Sequence, residues 1–148
     1  MSDIPDRVSD AAPSKVRVGK AVAAMAVVLV VDDHPAMADK VAARLQADGH
    51  AVETALSGER ALASLRSRPA DAVVLDVSMP GMSGLDVLRA LRAEGLLPAL
   101  RVIMFSTTDG ARKESLRLGA AEFVLKEDAE DLLRFVVPHQ AEPHVPKM

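Results

Sequence analysis

The chain of 148 residues contains no cysteine, tryptophan or tyrosine and only three phenylalanines. The absence of cysteine excludes disulfides, thiol catalysis and cysteine-ligated metals, and it fits a reducing compartment. The scarcity of aromatic rings argues against a base-stacking surface, and a formal net charge of -3 offers no general attraction to nucleic acid. We therefore expect a cytoplasmic location and no direct contact with nucleic acid.

One apolar run raises the question of a membrane segment. The stretch AVAAMAVVLVV, residues 21–31, is shorter than the roughly 20 residues that a transmembrane helix requires. It ends at Asp32 and Asp33 instead of a small-residue cleavage site, and acidic residues precede it, unlike in a signal peptide. We interpret its second half as a core strand and expect no membrane insertion.

Length and composition predict one folded domain with short flanking segments. Apolar residues make up 49% of the chain, which is enough to bury a core. Residues 1–24, with Pro5, Pro13 and scattered charges, are expected to form a flexible extension. We expect the domain to cover residues 25–137 and residues 138–148 to form a short tail without an output domain.

Five short segments with the character of strands alternate with helical patterns: Val27–Val31, Ala51–Ala55, Ala72–Leu75, Val102–Phe105 and Phe123–Leu125. Ser83 and Asp86 resemble a capping box before the third helix, and the fifth helix is predicted from near Asp128. No hairpin signal joins the strands, and the first, third and fourth lack polar alternation, so helices should cover both faces. The pattern predicts a three-layer α/β fold, a doubly wound parallel sheet with the strand order 2-1-3-4-5.

Polar side chains follow the strands at one end of this sheet. They are Asp32 and Asp33 after the first strand, Asp76 after the third, Ser106 after the fourth and Lys126 after the fifth. The carboxyl ends of parallel strands share one edge, so these side chains should converge. Clustered carboxylates repel one another unless a cation intervenes, and an all-oxygen donor set suits Mg²⁺. A lysine and a hydroxyl beside such a site indicate a phosphoryl group, which a carboxylate can accept as an acyl phosphate.

Four stretches together resemble the receiver domain of two-component response regulators: VVDDHP, VVLDVSMPGMSGLDVL, VIMFST and GAAEFVLK. They occur in order over residues of about 26–137. The resemblance implies a flavodoxin-like (βα)5 fold and phosphotransfer from a histidine kinase or a histidine phosphotransfer protein. The sequence is similar to that of a stand-alone, chemotaxis-type receiver. Such a protein is a signalling phosphoacceptor, not an enzyme, although it catalyses its own phosphorylation and dephosphorylation.

The resemblance implies a role for each of seven residues. These are Asp76 as phosphoacceptor and magnesium ligand, Asp33 as direct magnesium ligand, Asp32 as ligand largely through water, Ser78 as ligand through its backbone carbonyl, Ser106 as switch hydroxyl, Lys126 as partner of the phosphoryl group, and Phe123 as the aromatic residue that changes rotamer. After phosphorylation, the face made by helix 4, strand 5 and helix 5 is expected to bind a different protein partner.

Two positions near the site are ambiguous. Many receivers have a proline, joined by a cis bond, after the lysine; this chain has Glu127. A cis bond to a non-proline residue costs roughly 3–4 kcal/mol, so the sequence leaves the isomer of the Lys126–Glu127 bond open. His34 is interpreted as a solvent-facing loop residue whose position also allows it to line the site.

Other functions stay open as alternatives. A hydrolase of the haloacid dehalogenase type also phosphorylates an aspartate after a strand, but it requires a second acid where this chain has Ser78. A flavin or nucleotide binder requires a phosphate-binding loop after the first strand, and DDHP would repel phosphate without a metal. A receiver fold can also act as a phosphorelay shuttle, a phosphate sink or an unphosphorylated interaction module.

Overall fold

A computed structural model of the protein describes residues 15–16 and 23–136. Five strands form its main sheet: β1 (Val27–Val31), β2 (Ala51–Ala55), β3 (Ala72–Asp76), β4 (Arg101–Ser106) and β5 (Glu122–Leu125). The helices that follow the strands are α1 (Pro35–Ala47), α2 (Gly58–Ser67), α3 (Gly84–Ala93), α4 (Arg112–Arg117), a 3-10 helix (Lys126–Asp131) and α5 (Leu132–Phe135). Strands and helices therefore alternate along the chain, as predicted.

The order of strands in the sheet is β2-β1-β3-β4-β5, which confirms the predicted order 2-1-3-4-5. All four neighbouring pairs are parallel. Val31 at the end of β1 lies in register with Ala55 of β2 and Leu75 of β3. The direction in which successive strands are added to the sheet reverses between β1 and β3. The carboxyl ends of these two strands therefore flank the topological switch point, where open α/β folds place their ligand-binding sites.

Successive residues of the central strands enter two separate cores. Leu29 and Val31 of β1 pack in the core covered by α2 and α3, whereas Val28 and Val30 pack in the core covered by α1 and α5. All residues of β3 are buried, as are those of β1 and β4 after the first residue. This double burial explains why these three strands show no polar alternation in the sequence.

Local signals fix the starts of the helices nearest the carboxyl edge of the sheet. Pro35 lies in the first turn of α1, where its missing N–H leaves no hydrogen bond unmade. Ser83 and Asp86 form the predicted capping box at the start of α3. The Asp86 N–H donates to Ser83 Oγ at 3.2 Å, and the Ser83 N–H donates to Asp86 Oδ2 at 3.0 Å.

The segment after β5 differs in form from the single helix predicted from near Asp128. A 3-10 helix over Lys126–Asp131 comes first, and the α-helix that follows is one turn long, Leu132–Phe135. Within the described residues the single cis peptide bond joins Leu97 and Pro98. The Lys126–Glu127 bond, whose isomer the sequence left open, is therefore trans.

The predicted flanking segments lie mostly outside the described residues. Lys15–Val16 and Ala23–Ala24 form a two-residue antiparallel pair ahead of β1, and this is what the structure describes of the segment 1–24. The predicted tail, residues 138–148, lies outside the described ranges altogether. None of the helices within 15–16 and 23–136 has the length and apolar character needed to cross a membrane.

A buried histidine fixes the amino end of β1, at the edge opposite the predicted site. The Ala26 N–H donates to His50 Nδ1 at 3.0 Å, and the Ala51 N–H donates to the Ala26 carbonyl at 3.0 Å. Burial lowers the pKa of His50 below its ordinary value of 6.5, against a smaller opposing effect of Asp48. Because Nδ1 accepts a hydrogen bond, the fold requires the neutral imidazole.

The His50 contact predicts a specific loss of stability in mild acid. A histidine whose pKa is lowered by folding contributes fully above its ordinary value and progressively less as pH falls below it. We expect the free energy of unfolding of the wild type to fall between pH 7 and pH 5 more steeply than that of His50→Asn, which carries no titrating group. Urea denaturation at several pH values measures this difference, and parallel curves for the two proteins would contradict the assignment.

Candidate functional site at the carboxyl edge of the sheet

Two buried carboxylates and one ammonium meet at the carboxyl edge of the sheet. Lys126 Nζ lies 3.1 Å from Asp32 Oδ2 and 3.1 Å from Asp76 Oδ1. Asp32 is 1% exposed and Asp76 3% exposed, and the lysine side chain is largely covered. Asp32 follows β1, Asp76 ends β3 and Lys126 follows β5. Three of the predicted site residues therefore come together from three different strands.

Main-chain hydrogen bonds hold the two aspartates at the ends of their strands. The Asp32 N–H donates to the Ala55 carbonyl at 3.1 Å, which continues the β1–β2 ladder past the end of β1. The Val77 N–H donates to the Phe105 carbonyl at 3.1 Å, which does the same between β3 and β4. Both carboxylates therefore project from backbone that is still hydrogen-bonded within the sheet.

Gly84 allows α3 to begin directly against the backbone of Asp76. The Gly84 N–H donates to the Val77 carbonyl at 2.9 Å. A Cβ at position 84 would lie 2.1 Å from the carbonyl oxygen of Asp76 and 2.9 Å from the Cα of Val77. This residue was not predicted from the sequence. The available signal was a glycine in the first helical turn, directly after the cap Ser83, where glycine is unfavourable unless space demands it.

The electrostatics of the site leave an excess of negative charge. Burial and the nearby Asp32 carboxylate raise the pKa of Asp76, with a smaller contribution from Asp33, and Lys126 opposes this increase. Burial alone would lower the pKa of Lys126, but its hydrogen bonds and charge interactions with Asp32 and Asp76 raise it overall. Lys126 is therefore a permanent cation at neutral pH. Its ammonium also lies 5.6 Å from the centroid of the Phe105 ring, within the range of a cation–π contact.

Asp33 provides the observation that a divalent cation fits this site. Its Oδ1 atom is buried and has no hydrogen-bond partner among the described residues. A buried carboxylate oxygen without a donor is costly, and a metal ion is one way to satisfy it. Asp32, Asp33 and His34 each offer a donor atom within 4.8 Å of the others. Together with the neighbouring Asp76, the carboxylates form an oxygen-rich donor set of the kind that binds Mg²⁺.

The predicted hydroxyl and loop residues lie around this cluster. Ser106 ends β4, is buried, and accepts a hydrogen bond through Oγ from the Thr108 N–H at 3.2 Å. It lies in register with Leu125, the residue before Lys126. Ser78 lies two residues after Asp76 in the loop that follows β3, and it is exposed. The structure thus places Ser106 at the same edge as Lys126 and Ser78 in an adjoining loop.

Phe123 points inward in this structure. It lies in β5, is buried, and belongs to the core on the α2–α3 side of the sheet. The guanidinium of Arg112 lies 4.8 Å from the centroid of the ring, and Arg112 Nη1 donates to the Phe123 carbonyl at 3.5 Å. Arg112 begins α4, so the aromatic residue and the start of that helix are in direct contact. This contact was not predicted from the sequence.

The chain belongs to the response regulator receiver domain family, whose model matches residues 28–137. The matched range contains every residue of the cluster and the whole main sheet except Val27. A receiver domain of two-component systems with a flavodoxin-like fold, as the sequence resemblance implied, is therefore confirmed.

Relatives and solved structures agree with this family. TcrX, a probable transcriptional regulatory protein of Mycobacterium tuberculosis, is 43% identical over 101 residues, which cover 67% of this chain and 42% of that protein. KdpE, a transcriptional regulatory protein of the same species, is 39% identical over 103 residues, 69% of this chain and 45% of that protein. The chain thus spans less than half the length of these two relatives.

Among solved structures, the chemotaxis protein CheY4 of Vibrio cholerae superposes with a TM-score of 0.68 at 34% identity, over 75% of this chain and 95% of that chain. The response regulator TrrA of Thermotoga maritima, determined in complex with Mg²⁺ and BeF, gives a TM-score of 0.67 at 30% identity, over 75% of this chain and 98% of that chain. Both comparisons cover nearly the whole of the other chain, so the receiver fold is reproduced in full.

The close approach at Gly84 predicts a large effect of adding one methyl group. We expect Gly84→Ala to lower the free energy of unfolding by about 2–4 kcal/mol, because the new Cβ overlaps main-chain atoms that cannot move aside. Gly110→Ala is the matched control, since a Cβ there would meet only Thr108 Oγ1, at 4.0 Å. Urea denaturation of both variants measures the difference. Equal effects would show that the backbone contact at Asp76 is not restrictive.

The uncompensated charge predicts that a neutral isostere at position 76 stabilises the metal-free protein. Folding raises the pKa of Asp76, so the ionised carboxylate opposes folding at pH 7 and a neutral side chain does not. We expect Asp76→Asn to raise the melting temperature by a few degrees in the presence of EDTA. Differential scanning calorimetry measures this, and a lower melting temperature for Asp76→Asn would contradict the charge assignment.

Proposed function

We propose that this receiver domain accepts a phosphoryl group on Asp76 from a phosphohistidine donor and thereby changes its protein partners. The observation that carries the proposal is the bridge formed by the Lys126 ammonium, 3.1 Å from both Asp32 and Asp76 at the carboxyl edge of the sheet. A buried carboxylate beside a fixed cation provides a nucleophile together with a positive charge that can pair with the oxygens of a phosphoryl group.

The bonds that form and break in the chemical step involve only the Asp76 carboxylate and the donor. One carboxylate oxygen attacks the phosphorus in line with the phosphorus–nitrogen bond of the phosphohistidine. The new oxygen–phosphorus bond forms as the phosphorus–nitrogen bond breaks, and the released imidazole retains the electron pair and takes up a proton. Lys126 supports this step by keeping Asp76 ionised and by pairing with an oxygen of the transferred group.

The proposed magnesium ligands are Asp33 and Asp76 directly, Asp32 largely through water, and Ser78 through its backbone carbonyl. When bound, Mg²⁺ supplies positive charge that neutralises the oxygens of the phosphoryl group in the transition state. The unpartnered Oδ1 of Asp33 supports this set. The solved structure of the relative TrrA in complex with Mg²⁺ and BeF supports the same assignment by similarity.

The proposed switch links the phosphoryl group to the surface of α4, β5 and α5. The added group carries about 1.5 to 2 negative charges. Ser106 leaves its contact with the Thr108 N–H and donates its hydroxyl to a phosphoryl oxygen, and Phe123 changes rotamer as the β4–α4 loop moves. Leu116 on α4 is 45% exposed, which gives this surface an apolar contact point. A protein partner then distinguishes the two states of the surface.

The proposed partners are a histidine kinase or a histidine phosphotransfer protein upstream and a protein that recognises the α4–β5–α5 surface downstream, all in the cytoplasm. Membership of the receiver family supports the upstream partner. The relatives TcrX and KdpE are named as transcriptional regulatory proteins, and this chain matches less than half of each. We propose that the receiver itself makes no direct contact with nucleic acid, because a formal net charge of -3 provides no general attraction to it.

The phosphoacceptor assignment predicts loss of phosphorylation in Asp76→Asn. The purified protein is incubated with Mg²⁺ and a small phosphodonor such as acetyl phosphate, and intact mass spectrometry counts the phosphoryl groups gained. We expect one group on the wild type and none on Asp76→Asn, because the amide is not a competent nucleophile. Asp109→Asn is the matched control, since Asp109 is an exposed aspartate in the loop after β4. Unchanged uptake by Asp76→Asn would exclude the proposed function.

A further inference from the structure

His34 places a nitrogen donor next to the two aspartates that follow β1. Its Nδ1 atom lies 3.4 Å from Asp32 Oδ1, at hydrogen-bond distance, and 3.4 Å from Asp33 Oδ1. The rest of the residue is open to solvent, with 73% of the side chain exposed. The sequence suggested a solvent-facing loop residue whose position allows it to line the site, and the structure shows both features at once.

The backbone of His34 is fixed in the position that this contact requires. His34 precedes Pro35 and has an extended conformation, with φ -99 and ψ 109. The proline ring disfavours the helical conformation of the residue before it. Its N–H donates to Asp32 Oδ1 at 2.9 Å. His34 occupies the cap position of α1, yet its side chain makes no capping hydrogen bond. The imidazole is directed toward the acids instead.

The distances match those between neighbouring ligands of one metal ion. With metal–ligand bonds of about 2.1 Å, neighbouring donor atoms lie about 3.0 Å apart in an octahedron and about 3.4 Å apart in a tetrahedron. The Nδ1 atom is therefore within ligand spacing of both carboxylate oxygens, and one of these, Asp33 Oδ1, is buried and has no hydrogen-bond partner in the described part of the chain. A metal ion would satisfy this oxygen and would take the imidazole nitrogen in place of its contact with Asp32 Oδ1.

We propose that His34, through Nδ1, is an additional ligand that the divalent cation site offers to transition-metal ions, and that it raises the affinity of the site for these ions relative to Mg²⁺. Mg²⁺ prefers oxygen ligands and gains little from an imidazole, whereas Co²⁺, Ni²⁺ and Zn²⁺ bind imidazole well. The inference rests on the proposed cation site at Asp32 and Asp33. Because the transition metal uses the same Asp33 oxygen, the two kinds of ion must compete for one site.

Calorimetric titrations of the metal-free 148-residue chain with Co²⁺ and with Mg²⁺ test this inference. All proteins carry His139→Ala and His144→Ala, so that the imidazoles near the carboxyl terminus do not bind the metal. We expect Co²⁺ to bind at least about tenfold more tightly than Mg²⁺, and Mg²⁺ to displace it competitively. We expect His34→Ala and His34→Asn to weaken Co²⁺ binding by about tenfold or more and to change Mg²⁺ binding far less.

A second measurement identifies the ligand atom. Zn²⁺ is diamagnetic, so its addition to ¹⁵N-labelled protein should shift the Nδ1 resonance of His34 more than the Nε2 resonance. Unchanged Co²⁺ affinity in His34→Ala would overturn the inference, and so would a shift confined to Nε2. An equal loss of Co²⁺ and Mg²⁺ affinity would also overturn it, because His34 would then only position the aspartates.

The proposed cation site and the His34 inference fail in different ways. If Asp33→Asn leaves Mg²⁺ affinity unchanged, the proposed cation site is wrong and the inference falls with it. If Asp33→Asn abolishes Mg²⁺ binding while His34→Ala leaves Co²⁺ binding intact, the cation site stands and only the role of His34 is excluded. Phosphorylation of Asp76 is measured in a separate experiment by intact mass spectrometry, in which Mg²⁺ is the only metal added.

Discussion

The ammonium of Lys126 and the two carboxylates that it contacts determine much of the architecture at the carboxyl edge. Asp32 and Asp76 are nearly inaccessible, and two unpaired charges at such depth would repel each other strongly. The strand order makes the compensation possible, because Lys126 extends from the edge strand across β4 to reach the ends of β1 and β3. The ring of Phe105 on β4 lies within cation–π distance of the ammonium. One side chain thus connects the ends of three strands.

The fold and the location of the site followed from sequence patterns because both depend on coarse regularities. Apolar runs without alternation indicated strands covered on both faces, and the topology rule placed Asp32, Asp76 and Lys126 at a common edge. Neither inference needed a side-chain conformation. The strand order was predicted correctly for this reason. The capping box at Ser83 and the receiver family were predicted correctly from short local motifs, which also need no side-chain conformation. The individual roles of the site residues stay predictions, since they concern chemistry that follows from binding.

The features that the sequence did not reveal depend on contacts between distant segments. The need for Gly84 arises from the approach of α3 to the carbonyl of Asp76, and only the packed backbone defines that distance. The stacking of Arg112 on Phe123 requires both the inward position of the ring and the start of α4. A 3-10 helix after Lys126 takes the place of the first turns of the predicted α-helix. The sequence did not reveal it, because the residues DAED are compatible with an α-helix and give no signal of the tighter winding.

The contact at Gly84 makes one side of the site tightly packed. Because α3 begins directly against the Asp76 carbonyl, no free space separates this helix from the backbone of β3. The loop from Thr107 to Gly110, which follows β4 and leads to α4, consists of exposed residues. If Asp76 accepts a phosphoryl group as we propose, the room for it would therefore come from the side of this loop and α4, and not from the side of α3.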